Sequence, residues 1–346
     1  MATRGGRRAR LLVLAWLCVS ALIAGTLVGA GCAKKPQATA VTMRIGMVTV
    51  NDVQQFAAEQ FKALVEERSK GSITVEVYPG GQLGSNDQML QNLQNGSLQG
   101  LLEPTSFLAG FDPVLQVLDL PAIFPDGVKS AVSLLNGQVG DPLRARLESK
   151  GFELLRFYQY GSNICITKFD PSKLESFKGK KIRVMPSQVL IGRMNAFGAV
   201  GTPMSVPELY TALQQGTIDG IEGAEAFIST QKYYEIAKYL WLAPNAPNIT
   251  FFMVNKAWLE GLPKEQRDII KQAAVDLDAT VNGKAEELAE SAIDTMKAAG
   301  VTVVEPSAEV KAKLQQLWAP LSQTFLSQNP DAKPIYDAIT AVTGGK

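Results

Sequence analysis

The stretch from Gly179 to Gly223, GKKIRVMPSQVLIGRMNAFGAVGTPMSVPELYTALQQGTIDGIEG, decides how this chain reads. Ile182 to Met185 predict a short strand that carries one cation, Arg183, between apolar neighbours, and Pro186 closes it. A helical run follows, then Gly198 and Gly201, then a second β-like turn ending at Pro203 and Met204. Pro207 and Glu208 open an amphipathic helix with Leu209, Ala212 and Leu213 on one face, and Gly216 stops it. Strand, helix, strand and helix joined by tight glycine turns predict α/β layering with a cleft at the strand ends. Strand alternation puts Arg183 on the face opposite Ile182 and Val184. Two roles are open to it. It caps a strand and pairs with a surface acid, or its guanidinium grips a carboxylate bidentately in the cleft.

The same alternation runs outward toward the N-terminus. Arg44 to Val48 read as a strand, and the turn residues Thr49 to Asp52 precede a helix through Arg68 with Ala57, Phe61, Leu64 and Val65 on its core face. Ser72 to Tyr78 alternate as a strand, and Met89, Leu90 and Leu93 line the next helix. Gly100 to Leu102 form a buried strand feeding Glu103, Pro104, Thr105 and Ser106. Helices around 129–135 and 141–150 precede a strand from Glu153 to Tyr158, and Gly161-Ser162-Asn163 read as the crossing into a second lobe. Tyr233, Ile236, Ala237 and Leu240 take helical spacing, Thr250 to Asn255 form an apolar strand, and the chain from Pro263 to about Ala299 reads as long and helical.

At 346 residues, with 46% hydrophobic and 19% charged side chains, the chain has room for two folded domains. It contains no histidine, which removes Ser-His-Asp and Cys-His nucleophile pairs, histidine-bound zinc and the commonest general base. It has no Gly-rich phosphate loop ending in Lys-Ser or Lys-Thr. Residues 1–31 carry Arg4, Arg7, Arg8 and Arg10 and no acid, so the remainder holds 30 basic against 33 acidic side chains. No basic stripe interleaved with aromatics is present, which speaks against nucleic acid as a partner.

Those first 31 residues read as an export signal, with four arginines ahead of an apolar run from Leu11 to Ala24. Gly29-Ala30-Gly31-Cys32 resembles the lipobox of bacterial lipoproteins, which makes Cys32 the expected lipidation site and residues 32–42 a tether. An ordinary cleaved signal is the alternative. Cys165 is left as the one thiol of the folded part, a buried filler.

Four blocks in order carry a family resemblance: VEERSKGSITVEVYPGGQLG (65–84), LQNGSLQG (93–100) with LDLPAIFP (118–125), FKGKKIRVMPS (177–187), and GAVGTPMSVPELYTALQQGTIDGIEG (198–223). They resemble the solute-binding receptors of tripartite ATP-independent periplasmic (TRAP) transporters, the DctP family. The resemblance implies a two-lobe periplasmic-binding-protein fold, type II-like, with a cleft between α/β lobes, hinge-crossing strands and a long helix spanning both lobes. By analogy, lobe one is residues 43–160 plus 249–288 and lobe two is 161–248 plus 289–346. The implied role is capture of a small organic acid and its delivery to a two-subunit membrane permease driven by an ion gradient. No cofactor is implied beyond a metal ion held with the ligand in some members.

The resemblance assigns Arg183 the ion pair with the ligand's carboxylate. Asn163 stands where many members place a second arginine, and is either a ligand contact or a turn residue. Glu222 stands where members that bind acids with a metal ion use a metal ligand, usually followed by an aromatic; here Gly223 follows, and a structural acid is the other reading. Gly223 and Val48 replace asparagines of the sialic-acid group. Met204 and Val206 are candidates for the cleft wall, with Tyr158 and Tyr160 near the crossing. Thr49 and Asn51 after the first strand, and Glu103 and Thr105 after the third, are candidate lobe-one contacts or helix caps. Competing readings are a receptor for an ABC importer, a ligand-sensing partner for a signalling protein, and an enzyme using Glu222 and Glu225 as paired acids on one helix face.

Overall fold

The computed structural model describes residues 40–243 and 247–344; the export segment and Cys32 lie outside the described residues. From the start, β1 (Val41–Gly46), α1 (Val53–Arg68), β2 (Ile73–Tyr78), α2 (Asn86–Gln94) and β3 (Gly100–Pro104) alternate. Two 3-10 segments, Thr105–Gly110 and Pro113–Asp119, then α3 (Gly127–Asn136) and α4 (Asp141–Ser149), lead into β4 (Phe152–Ser162). The second half holds β5 (Ile164–Thr167), β6 (Lys181–Val184), α5 (Gln188–Asn195), β7 (Val200–Pro203), α6 (Leu209–Gln215), β8 (Gly220–Gly223), α7 (Glu225–Thr230) and β9 (Tyr239–Trp241). The chain returns as β10 (Pro247–Asn255), α8 (Lys256–Glu260), α9 (Lys264–Asp276) and α10 (Asp278–Ala298). It closes with β11 (Thr302–Val304), α11 (Ala308–Gln328) and α12 (Lys333–Thr343).

Local chemistry explains the starts and stops. Asp52 caps α1 by accepting the amide hydrogens of Gln54 and Gln55. Ser85 and Gln88 form a reciprocal capping box on α2. Gly216 ends α6 in the left-handed region, φ 78°, where a side chain is disfavoured.

Two mixed sheets result. The first runs β2-β1-β3-β10-β4, with β1 parallel to β2 and β3, and β10 antiparallel to β3 and β4. The second runs β11-β9-β5-β8-β6-β7, with β6 parallel to β7 and β8, and β5 antiparallel to β8 and β9. β4 extends well past Tyr158, to Ser162, because β10 pairs with it along its whole length, from Asn255 opposite Phe152 to Pro247 opposite Ser162. One residue, Asn163, then separates β4 in the first sheet from β5 in the second. This is the two-lobe fold expected from the sequence, with a strand crossing at Gly161-Ser162-Asn163. α10 packs against α1 and β4 on one side and α7 on the other.

Three elements differ from expectation. The helix expected over Tyr233–Leu240 is a 3-10 turn, Tyr233–Glu235, followed by β9. Lys232 takes a left-handed backbone, φ 58°, and Leu240 pairs with Ile166 of β5 and Val303 of β11, so sheet contacts override the helical spacing. The segment after Pro263 is two helices, broken at Leu277. Glu222 lies on β8 and Glu225 at the start of α7, so they share no helix face, and the paired-acid reading loses its geometry.

Candidate functional site

The C-terminal ends of strands from both sheets converge on one small cavity. Val48 and Thr49 follow β1, Pro104 ends β3, Arg183 and Met185 come from β6, and Gly223 ends β8. Tyr160 and Asn248 reach it from the two crossing strands, β4 and β10. Ligand sites of open α/β sheets lie in this place because the strands stop there and loops supply the polar groups.

Arg183 is its only charged wall residue among the described ones, and it is 1% exposed. Its Nε donates to the Met204 carbonyl at 2.9 Å and its Nη1 to the Glu222 carbonyl at 3.1 Å, which fixes the fork in one plane. Nη2 has no hydrogen-bond partner, and no carboxylate among the described residues pairs with the guanidinium. The Phe227 ring lies 5.8 Å from Cζ. Desolvation pulls Arg183 down to about 10, against the pull of Tyr233, Glu222 and Tyr160, so it remains a cation at neutral pH. A buried cation with an unpartnered Nη2 is chemically suited to receive an anion.

The other wall groups are already oriented by the protein. Thr49 donates to Gln54 at 3.1 Å, and Gln54 Nε2 donates to Thr250 at 3.3 Å. Tyr160 donates its hydroxyl to Asp52, the residue that caps α1. Burial pushes both Asp52 and Tyr160 upward, so the tyrosine keeps its proton. Asn248 Nδ2 donates to Asn163 Oδ1 at 2.8 Å, which makes Asn163 the residue behind the wall rather than part of it.

Several candidate residues sit elsewhere than expected. Asn51 takes a left-handed turn, φ 54°, is exposed, and donates its amide to Gln55, so it belongs to the approach to α1. Glu103 lies on β3 itself, fully buried, bonded by Asn86, and held well above the usual carboxylate range by desolvation and by Asp87. Thr105 is buried next to Pro104 without lining the cavity. Met204 contributes its carbonyl to Arg183 while Met185 and Val206 form the wall. Tyr158 turns to the Ala274 carbonyl of α9.

Glu222 also departs from the metal-ligand reading. Its carboxylate lies 3.5 Å from Arg193 Nη1, with both side chains at most 2% exposed, and Arg193 stacks 4.6 Å from the Trp318 ring. Burial raises the Glu222 carboxyl while Arg193 lowers it. A guanidinium in contact repels a divalent cation, so this carboxylate does not suit a metal ion. Among the described residues no cluster of three His, Cys, Asp or Glu side chains could hold one.

Sequence reasoning passed over Gln54, Phe107, Met185, Phe227, Asn248 and Arg193. Arg193 left a signal: it follows Val189 and Leu190 by four and three residues, on the buried face of α5, an unusual place for a cation. Phe227 had one too. A Cβ on Gly223 would stand 2.6 Å from Phe227 Cδ1, so the glycine is what admits the ring to the wall.

A cleft between two α/β lobes, built on strand ends around one desolvated cation, defines a two-lobe solute-binding protein. The model of the bacterial extracellular solute-binding proteins, family 7 (DctP), matches residues 46–329. The chain belongs to that family, the TRAP-type solute-binding receptors. It is 30% identical over 305 residues to the 2,3-diketo-L-gulonate-binding periplasmic protein YiaO of Escherichia coli, covering 88% of this chain and 92% of that one. It is 35% identical over 269 residues to the C4-dicarboxylate-binding periplasmic protein DctP of Rhodobacter capsulatus, covering 76% and 80%. Its fold matches the sugar acid binding protein DctPAm of Advenella mimigardefordensis, solved with galactonate, with a TM-score of 0.83, 30% identity, and coverage of 88% and 99%.

Proposed function

We propose that this chain is the extracytoplasmic receptor of a TRAP transporter, which takes a small organic acid by its carboxylate on Arg183 and passes it to a two-subunit membrane permease. The observation that carries this reading is the buried Arg183 guanidinium, with two N–H groups spent on carbonyls and Nη2 unpartnered at the cavity. An uncompensated cation in a desolvated cleft favours the state in which an anion has joined it, so capture and closure are coupled. The organic-acid ligands named for YiaO, DctP and DctPAm support the same ligand class.

In this reading, residues 43–160 with 249–288, and 161–248 with 289–346, move as the two lobes about the crossing at Asn163. The role is capture, not catalysis, since the cavity wall offers one cation and no general base. Residues 1–31 direct export to the periplasm and Cys32 carries a lipid anchor, which mass spectrometry of the mature N-terminus would check. A thermal-shift screen against organic acids and neutral sugars tests the ligand class. Acids, not sugars, should raise the melting temperature, and the shift should vanish in Arg183→Ala. Co-purification of the receptor with its permease separates a TRAP system from an ABC importer or a signalling partner.

A further inference from the structure

We infer that the preferred ligand is a monocarboxylate with an apolar body, a short branched or aromatic acid, rather than a dicarboxylate or a hydroxyl-rich sugar acid. The inference rests on the carboxylate role of Arg183 and adds what the remainder of the cavity selects. Three observations carry it.

The first is charge. Arg183 stands alone as a cation on the wall. The other buried cation of the second lobe, Arg193, is turned to Glu222 and covered by Trp318, and it does not line the cavity. A second carboxylate would be desolvated with no counter-charge, which low-dielectric surroundings penalise heavily. The second is the wall itself. Val48, Pro104, Phe107, Met185, Val206 and Phe227 supply an apolar lining from both lobes around the polar end at Arg183. Gly223 lets the Phe227 ring occupy space that any larger residue would take.

The third is the fate of the remaining polar groups. Thr49 and Tyr160 give their only hydroxyl hydrogens to Gln54 and Asp52. Gln54 and Asn248 each spend one amide hydrogen on Thr250 and Asn163. Asn248 Oδ1 is left without a partner and is one open acceptor on the wall, but a ligand with four or five hydroxyls would still find few matched partners here, and each unmatched polar group weakens binding.

Titration calorimetry on the purified receptor tests this with 4-methyl-2-oxopentanoate, benzoate, succinate, glucuronate and the neutral 4-methylpentanamide. The expected result is that 4-methyl-2-oxopentanoate or benzoate binds at least tenfold tighter than succinate and glucuronate, with no binding of the amide. Phe107→Ala should weaken the apolar acids about tenfold and leave the thermal unfolding of the unliganded receptor cooperative. Succinate or glucuronate binding tighter than both apolar acids, and lost in Arg183→Ala, would overturn the apolar preference while the carboxylate role stands. Equal binding of the amide, or no binding of any acid, would overturn the carboxylate role and this inference with it.

Discussion

Arg183 keeps its charge where desolvation opposes it, helped by Tyr233, Glu222 and Tyr160, and its Nε and Nη1 are held by the Met204 and Glu222 carbonyls. Lysine has a point charge on a flexible stem and cannot hold that plane. Arg183→Lys should therefore cut carboxylate affinity by about tenfold or more, measured by calorimetry, with an unchanged circular-dichroism spectrum. Glu222 works one layer deeper, opposite Arg193. Glu222→Gln leaves a buried guanidinium without its counter-charge, and should cost about 3–5 kcal/mol of stability in urea unfolding. An unchanged midpoint would mean that the carboxyl is already neutral. Asp119, fully buried where the first lobe meets α5, is pushed up to about 6 by desolvation, against the Ser187 and Ser106 hydroxyls and Arg193. Its folded pKa lies above its ordinary value of 3.8, so it contributes stability fully below about pH 4, and loses it as pH rises through about 6. Asp119→Asn should be more stable than the parent at pH 8, by on the order of 3 kcal/mol at most, with the difference gone by pH 4 in thermal unfolding. A difference independent of pH would sink that assignment.

At the scale of elements, the two crossing strands β4 and β10 each put a residue, Tyr160 and Asn248, on the cavity wall. Gly161 sits on β4 with φ 137°, and a Cβ there would stand 2.3 Å from Glu225 Oε2, the atom that accepts the Ser162 amide. Gly161→Ala combines a disfavoured backbone with a displaced carboxylate, and should lower stability by about 1–3 kcal/mol and weaken ligand binding together. A loss of stability with affinity intact would show that this strand is not part of the hinge. At this scale much was legible. The strand at 182–185 and the helix opened by Pro207-Glu208 and stopped by Gly216 appear within a residue or two of their expected bounds, with a helix and a short strand between them as expected, since caps, glycines and apolar spacing are local signals. β9 and β11 were not legible. Each is three residues long and earns its strand geometry from partners 60 or more residues away, so the helical spacing of 233–240 pointed the wrong way.

For the whole molecule, two sheets share a cleft whose polar end belongs to one lobe and whose apolar wall is shared. A ligand that bridges them stabilises the folded protein by its own binding energy, about 2.7 kcal/mol at one hundred times its dissociation constant. Saturating ligand should also lower the radius of gyration in solution scattering, and no change would argue against lobe closure. Residue type and spacing along the chain marked Arg183 as a cation between apolar neighbours on a strand and Gly161-Ser162-Asn163 as a crossing, and the resemblance of four sequence blocks pointed to the two α/β lobes and the family. Tertiary structure alone decided which polar residues face the cleft. It turned Asn163, Glu103 and Glu222 to buried protein partners and brought Gln54, Phe107, Phe227 and Asn248 to the wall. The reason is physical. A backbone pattern is written in neighbours three or four residues apart, whereas the direction of a buried polar side chain is set by whichever distant group satisfies its hydrogen bond or its charge.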